Sequence, residues 1–346
     1  MAGLKTVEVS GPPMAVRDLG GQLVGEAGAT AVRLAQKDAQ VEVRGRAAPG
    51  VRLVPMLGSG LRMGAREYAG VLEVVAQPDG LVVINELPLE EYLMGVLRAE
   101  VGDQAPAEML RAQAIAARTY GAYHRELFAS RLYHLAASTA HQMYAGRVAP
   151  DSPAWGAVRD TTGQILLWEG ELFPAFYHTD SGGHTEDPRA VFGTTGMPAL
   201  RPVRVEVPTG SPHQDWRLDV PLGQLGAQLA RQGVAVGRLV GLDVLERSAS
   251  RRVALLAVRG AAGTATLRGH DFRRIVGYDT LKSTLFTVTV SGALARFTGR
   301  GYGHGVGLDQ WGARAMAERG WTAPEILHYY YRGAVLSSLE QRANLR

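Results

Sequence analysis

The order of helical and β-strand patterns along the chain is the strongest constraint on its fold. Residues 1–60 contain short β-rich runs, and residues 70–85 are typical of a hairpin that turns at Pro78-Asp79-Gly80. Two helical patterns follow, at 87–100 and at 106–128, and the second is rich in alanine. Because strands and helices do not alternate as regular βαβ units, the order predicts an α+β fold.

The second half of the chain predicts further elements. Residues 165–179 are typical of another hairpin. A short helix is predicted at 222–233, a helix near 270–277, and strands at 239–248, 251–260 and 285–290. Thr322 and Glu325 form a capping-box pair, and Asp309 is placed to cap a helix that begins at Gln310.

Composition excludes several classes of site. The chain of 346 residues has no cysteine, which excludes disulfides, thiolate zinc sites and a cysteine nucleophile. Its net charge of +4 comes from scattered arginines without a long basic run, so we expect no nucleic-acid partner. No apolar run approaches twenty residues, so we expect no membrane span. The first residues lack the apolar centre of a signal peptide, so we expect export only if a signal was removed before this numbering begins.

One acid interrupts an otherwise apolar helical face. The apolar side chains of this face recur at spacings of three and four, at Leu89, Tyr92, Leu93, Val96 and Leu97. The next position of the face is Glu100, just before a helix stop at Gly102. We therefore expect Glu100 to be partly buried at a helix C-terminus, and both conditions raise the pKa of a carboxyl group. The alternative is that its side chain turns to solvent or binds a loop amide.

Glycine occurs at every second position from 299 to 307. If this run is extended, one face is bare backbone that a flat ligand can approach, and Tyr302 and His304 project from the other face. The alternative is a tightly packed segment in which His304 is structural. The run matches neither a Walker loop nor a dinucleotide fingerprint, so a nucleotide is not expected.

The segment Asp-Ser-Gly-Gly at 180–183 is similar to a serine-protease nucleophile loop, with His141 as the histidine. We reject this interpretation because the stretch between His141 and Ser181 is too short for half of a double barrel, and no glycine precedes Asp180. A turn that faces a cleft is the simpler interpretation of Ser181.

A metal site is also a weak possibility. His178, His184 and Asp187 have loose spacing and no helix that aligns them, so neither a metal nor a cofactor is predicted.

Five segments together resemble the SpoIID family, which is named for stage II sporulation protein D and includes the amidase enhancer. The resemblance is carried in colinear order by INELPLEEYLMGVLRAEVGDQAPAEMLRAQAIAARTY, HQMYAG, AFYHTDSGGHTED, LRGHDFRRIVGYDTLKSTLFTV and GRGYGHGVGLDQWGA, and it extends from about residue 66 to residue 336. We accordingly predict an N-terminal β-rich segment at 1–65 and a SpoIID-like domain at 66–339. A strand–helix–strand subdomain is predicted at 201–295 within that domain.

The resemblance implies an exported lytic transglycosylase that cuts the glycan strands of peptidoglycan and prefers strands stripped of stem peptides. The alanine-rich helical core would then line a glycan cleft, and the family's essential acid corresponds to Glu100. Some relatives carry a zinc site with cysteine ligands, which this cysteine-free chain cannot build. The family usually has Met-Ser where Leu308-Asp309 stand here.

Such an enzyme needs a proton on the oxygen that leaves N-acetylmuramic acid, and a glutamic acid can supply it. The sugar's own C6 hydroxyl then closes a 1,6-anhydro ring, so one carboxyl serves as acid and then as base. Further contacts to sugars are expected from Arg118, Gln142, Tyr144, Ser181, Tyr302, His304 and Gln310. The alternatives are a non-catalytic activator of an N-acetylmuramoyl-L-alanine amidase, which would make that amidase a partner, and a glycan-binding wall protein without activity.

Overall fold

Helices and strands are mixed along the chain, so the predicted α+β class is confirmed. A computed structural model describes residues 1–28, 30–56, 60–193, 196–207 and 209–344. Residue 29 and residues 57–59 of the predicted N-terminal strand region lie outside the described residues. By contacts the chain forms two units, which we call unit 1 (Met1–Ala105 with Tyr120–Gly163) and unit 2 (Pro106–Thr119 with Gln164–Arg346).

Unit 1 is built of antiparallel sheets followed by helices. Its strands pair in the orders β1-β4-β5-β6, β11-β10-β7-β2-β3 and β8-β9. The elements are β1 Thr6–Val9, β2 Met14–Asp18, β3 Leu23–Ala27, β4 Val32–Lys37, β5 Gln40–Val43, β6 Arg46–Ala48, β7 Gly50–Pro55, β8 Leu61–Met63, β9 Arg66–Tyr68, β10 Val71–Gln77, β11 Gly80–Glu86, α1 Leu89–Glu100, α2 Ala107–Leu127, whose residues from Tyr120 belong here, and α3 Pro153–Asp160.

The hairpin predicted at 70–85 is formed by β10 and β11. Its register runs from Val71 opposite Glu86 to Gln77 opposite Gly80. Gly80 closes the turn at a φ of +148°, where a side chain would be strained. The hairpin ends at Glu86, and α1 begins three residues later at Leu89.

Unit 2 contains smaller sheets and short helices. The strands pair in the orders β12-β21, β13-β20, β14-β19-β18 and β15-β16-β17, and only β13-β20 is parallel among these pairs of the described residues. The elements are β12 Gln164–Leu167, β13 Tyr177–His178, α4 Pro188–Phe192, a 3₁₀ turn Pro198–Leu200, β14 Trp216–Pro221, α5 Leu222–Arg231, β15 Leu239–Arg247, β16 Val253–Gly260, β17 Gly263–Arg268, α6 Gly269–Val276, β18 Phe286–Ser291, β19 Leu294–Gly299, β20 Leu308–Asp309, α7 Gln310–Ala317, α8 Ala323–Tyr330, β21 Val335–Ser338 and α9 Leu339–Asn344.

Most predicted elements of unit 2 are confirmed. Helices α5 and α6 and strands β15, β16 and β18 lie where the sequence predicts them, and their apolar side chains share one core. In this core, Phe272, Phe286 and Phe297 pack ring against ring with centroids 5.4 to 6.4 Å apart. The capping box of Thr322 and Glu325 is also present at the start of α8.

The hairpin predicted at 165–179 is wrong. Trp168 and Glu171 close a tight turn, but β12 then pairs with β21, and β13 pairs with β20. Pro174 lies between the two segments, and a proline cannot donate a hydrogen bond to a ladder. Distant strands therefore supply the partners that a local hairpin would have supplied.

The predicted limits of the SpoIID-like domain and of its subdomain rest on similarity to a family, whereas the two units are defined by contacts. These limits therefore stay predictions. No described helix combines the length and the apolar character that crossing a membrane requires.

Candidate functional site

Glu100 is the last residue of α1. Leu93, Val96 and Leu97 on the same face are fully buried, whereas Glu100 is half-buried. The helix ends there, and Gly102 adopts a left-handed conformation with a φ of +67°. The predicted partial burial and C-terminal position of Glu100 are therefore confirmed.

The carboxylate of Glu100 binds a loop amide. The backbone N–H of Met143 donates to Glu100 Oε1 at 2.7 Å. Burial raises the pKa of Tyr92 and of Tyr120, and the charge of Glu100 raises both further. Glu100 thus faces an amide and two protonated phenols, so the loop-amide bond of the alternative interpretation occurs together with the partial burial expected of a proton donor.

The segment that holds Glu100 also contains Gln142 and Tyr144. Gln142 is buried, and its Oε1 accepts a hydrogen bond from the Tyr92 hydroxyl at 2.9 Å. Tyr144 packs on the Tyr92 ring with centroids 5.3 Å apart and donates to Asn85 Oδ1 at 3.0 Å. The structure therefore brings Glu100, Gln142 and Tyr144 together within unit 1.

A cavity of about 640 Å³ lies in unit 1 beside these aromatic rings. Its walls are the β10–β11 hairpin, the start of α1 and residues 132–138, and Tyr68, Tyr92 and Tyr144 line it. A pocket of this size accommodates a ligand of several hundred Å³.

Arg118 and Gln310 lie in unit 2. Arg118 is fully buried, and its Nη1 donates to the carbonyl of Gln164 at 3.1 Å. Gln310 is buried and faces Gln113 with a nitrogen-to-oxygen distance of 3.5 Å. The sugar contacts expected of Arg118 and Gln310 stay predictions.

Ser181 is fully buried beside two aspartates. Its backbone N–H donates to Asp309 Oδ2 at 3.0 Å, and its hydroxyl accepts a hydrogen bond from the Gly183 N–H at 3.1 Å. Asp309 also caps α7 by accepting from the Gly312 N–H at 2.9 Å, as predicted. Burial first, and then the charge of Asp180, raises the pKa of Asp309 to about 6. The role of Ser181 toward a sugar stays a prediction.

The extended conformation considered for the glycine run is wrong. Gly301, Gly303, Gly305 and Gly307 have φ of +76°, +113°, +89° and +75°, so the backbone turns repeatedly instead of forming a strand. The glycines permit close packing within unit 2: a Cβ at Gly307 would lie 1.9 Å from the carbonyl oxygen of Phe176. The bare backbone faces protein here rather than open space.

Tyr302 and His304 contact different groups because the run turns. The Tyr302 hydroxyl donates to Asp279 Oδ1 at 2.8 Å. His304 Nδ1 accepts from the Val306 N–H at 3.0 Å, and its ring packs near Phe192. Burial, followed by the charge of Arg273, lowers the pKa of His304 to about 3, so the ring is neutral. These contacts fit the structural alternative for His304, and the sugar contacts of both residues stay predictions.

The residues considered for a metal site, His178, His184 and Asp187, do not form one cluster. Asp187 caps α4 and forms an ion pair with Arg189, whereas His178 Nδ1 contacts the carbonyl of Val306. Across the described parts of the chain, no group of three or more His, Cys, Asp or Glu side chains is arranged to hold a metal ion.

Sequence reasoning missed several groups of the site. The apolar periodicity of α1 predicts only a core role for Tyr92, although its hydroxyl binds Gln142. Tyr120 follows the alanine-rich run at 112–117, and Tyr123 lies three positions further on, so residue type alone does not single out Tyr120. The Met143 N–H could not be predicted as a ligand of Glu100, because every residue except proline has a backbone N–H.

Family comparisons place the same region in a known group. The family model described as stage II sporulation protein matches residues 77–168, and one for a domain of unknown function (DUF8618) matches residues 211–307. Stage II sporulation protein D of Bacillus amyloliquefaciens is 31% identical over 286 residues, 74% of this chain and 76% of that protein. An uncharacterized protein of Brachyspira hyodysenteriae is 30% identical over 275 residues, 79% of this chain and 73% of that protein. The amidase enhancer of Bacillus subtilis is 26% identical over 295 residues, 71% of this chain but 40% of that protein.

The half-buried acid at the end of α1 and the segment that binds it both lie within the matched residues 77–168. This part of the α+β fold is therefore the region that matches a SpoIID domain. The chain belongs to the stage II sporulation protein D family.

The glycine run yields a stability prediction. We expect Gly303→Ala to lower the free energy of unfolding by about 1–3 kcal/mol, because the φ of +113° strains any side chain and the new Cβ would lie 2.8 Å from His178 Cβ. Gly223→Ala is the matched control, since Gly223 is helical and has open space around its Cβ position. Denaturant unfolding measures both, and equal stability of the two variants would contradict this account.

The buried aspartate yields a pH prediction. The pKa of Asp309 is about 6 in the folded state and about 4 when unfolded. Its contribution to stability is therefore fully present below pH ~4 and is lost as pH rises through ~6. Asparagine keeps one acceptor for the Gly312 N–H but loses the second acceptor for the Ser181 N–H, which costs stability at every pH. We therefore expect the stability of wild type relative to Asp309→Asn to fall by about 2–3 kcal/mol between pH 4 and pH 8.

Asp187→Asn is the opposite control for this measurement. The hydrogen bond and charge of Arg189 lower the pKa of Asp187, so this group stabilises the fold above its unfolded pKa and loses that effect in acid. Thermal unfolding between pH 3 and pH 8 compares the two variants. A stability difference between wild type and Asp309→Asn that stays constant from pH 4 to pH 8 would refute the assignment for Asp309.

Proposed function

We propose that the chain is a lytic transglycosylase that cuts peptidoglycan glycan strands between N-acetylmuramic acid and N-acetylglucosamine. One observation carries the proposal: the half-buried carboxyl of Glu100 at the end of α1, held by the Met143 N–H at 2.7 Å. Its position within the family match supports the same assignment.

Glu100 is the general acid in this proposal. Partial burial disfavours the charged carboxylate, and the Met143 N–H favours it, so the two effects oppose each other at one group. The protonated acid donates to the glycosidic oxygen as the bond to the muramic sugar breaks. The resulting carboxylate then accepts the proton of the sugar's C6 hydroxyl while that oxygen closes the 1,6-anhydro ring. No second carboxylate is needed, in contrast to a hydrolase.

The proposed substrate is a glycan strand stripped of stem peptides. Gln142 and Tyr144 adjoin Glu100 in unit 1 and are the first candidates for sugar contacts. Arg118, Ser181, Tyr302, His304 and Gln310 remain further candidates in unit 2. A wall substrate places the work outside the cytoplasmic membrane, and this location is part of the proposal.

A second candidate function rests on the similarity to the amidase enhancer. In that case the chain binds a cell-wall amidase and stimulates it, and Glu100 contributes to binding rather than to bond cleavage. The two functions leave different products: an activated amidase releases stem peptides, whereas a transglycosylase leaves anhydro sugar ends.

The test is Glu100→Gln. Glutamine retains the shape of the side chain and an oxygen that can accept the Met143 N–H, but it cannot deliver a proton. We expect cleavage of peptide-stripped glycan to fall by ~10² or more, with strand binding and thermal stability retained. Mass spectrometry of the products measures the anhydro ends, and the wild-type rate should fall as pH rises through the pKa of Glu100.

Glu42→Gln is the matched control, because Glu42 lies on β5 and pairs only at the surface with Lys37. It should cut glycan at the wild-type rate. A Glu100→Gln protein that still releases anhydro-ended fragments at near wild-type rate would defeat the catalytic assignment. Stimulation of a purified amidase without new anhydro ends would favour the activator instead.

A further inference from the structure

Residues 142–145, which we call the strap, hold the carboxylate of Glu100 from outside its helix. The contact is the Met143 N–H, and the Met143 side chain itself is exposed. A backbone N–H orients a carboxylate only if the backbone that carries this N–H is itself held in place. The question is therefore what fixes the strap.

Helix α1 itself anchors the strap on both sides of Met143. Before it, Gln142 Oε1 accepts from the Tyr92 hydroxyl at 2.9 Å. After it, the Ala145 N–H donates to the carbonyl of Gly95 at 3.1 Å. The same helix thus carries the acid at its last residue and, through Tyr92 and Gly95, the segment that binds the acid.

The packing at Gly95 leaves little freedom. A Cβ at this position would lie 2.4 Å from Tyr144 Cε2 and 2.5 Å from the carbonyl oxygen of Gly146. The Tyr144 ring also packs on the Tyr92 ring, with centroids 5.3 Å apart. Packing at Gly95 therefore holds the end of the strap close to α1. The Tyr92–Gln142 hydrogen bond holds the residue that precedes Met143.

We infer that Tyr92 is a positioning residue, which orients the Glu100 carboxylate through Gln142 and the Met143 N–H. This inference rests on the proposed function only for its effect on turnover. The orientation itself is a property of the folded chain and can be measured without substrate.

The groups that face the acid determine the sign of the expected effect. They include the Tyr92 phenol of α1, the Tyr120 phenol of α2 and the Met143 N–H of the strap. Both phenols are protonated at neutral pH, because burial raises the pKa of each. A backbone N–H that donates to a carboxylate favours its charged form. A loosened strap therefore makes the Glu100 carboxyl easier to protonate.

Tyr92→Phe removes the hydroxyl and retains the ring that packs on Tyr144. We expect the Glu100 carboxyl in the full chain to titrate at a pH about 0.5 higher than in wild type. Carbon-13 NMR of glutamate labelled at the carboxyl carbon measures this titration, and the signal is assigned by its loss in Glu100→Gln. On glycan, kcat should fall by about 10-fold with little change in KM, because the acid is misdirected while binding is retained.

Tyr331→Phe is the matched control. The fully buried Tyr331 hydroxyl donates to the carbonyl of Phe176 at 2.8 Å in unit 2, so this variant loses a comparable hydrogen bond away from the strap. It should lose thermal stability without moving the titration of Glu100. A second variant, Gln142→Met, removes the acceptor, and adding Tyr92→Phe to it should change the titration no further.

An unchanged titration of Glu100 in both Tyr92→Phe and Gln142→Met would overturn the inference. Failure of the proposed function looks different: wild type would release no anhydro-ended fragments, while the titration would still move. A drop in stability alone, equal to that of Tyr331→Phe, would leave Tyr92 as a structural residue and would likewise reject the positioning role.

Discussion

The approach of the strap to α1 at Gly95 is the contact on which the arrangement of the site depends. With any larger residue, a Cβ would lie 2.4 Å from the Tyr144 ring, and the strap could not rest on the helix. The Met143 N–H would then lose its position over Glu100. The absence of a side chain at Gly95 thus allows the contact through which the strap reaches Glu100, because close-packed interiors leave no room for added atoms.

Unit 2 contains a buried charge, the guanidinium group of Arg252. Arg252 is almost fully buried and donates to the carbonyls of Ser181 and His184 at 2.6 and 2.7 Å. Its charge is offset by nearby Glu186, Asp309 and Asp180, although burial still lowers its pKa. The turns of the glycine run bring backbone close to these groups, and buried charges of this kind need hydrogen bonds from every side. The run therefore serves packing around a charged core, which the bare-face interpretation overlooked.

Local patterns predicted much of this structure. Hairpin β10–β11, helices α1 and α2, and the cap of α7 by Asp309 follow from periodicity and end signals that involve neighbours in sequence. The hairpin at 165–179 failed because its strands take partners from the far end of the chain. The alternating glycines would form an extended strand only if their φ angles were negative. In the folded chain the φ angles of the glycines from 301 to 307 are positive, because tertiary packing requires turns there.

By itself, the sequence determined that a carboxyl group stands on the buried face of a helix at its C-terminus, because the spacing of apolar residues and the stop at Gly102 are local features. It also determined the family, through motifs that keep their order. Only the tertiary structure decided that the Met143 N–H holds Glu100 and that Tyr92 binds Gln142. These contacts join residues more than forty positions apart, and one of the donors is backbone, which every residue except proline provides and no sequence pattern marks.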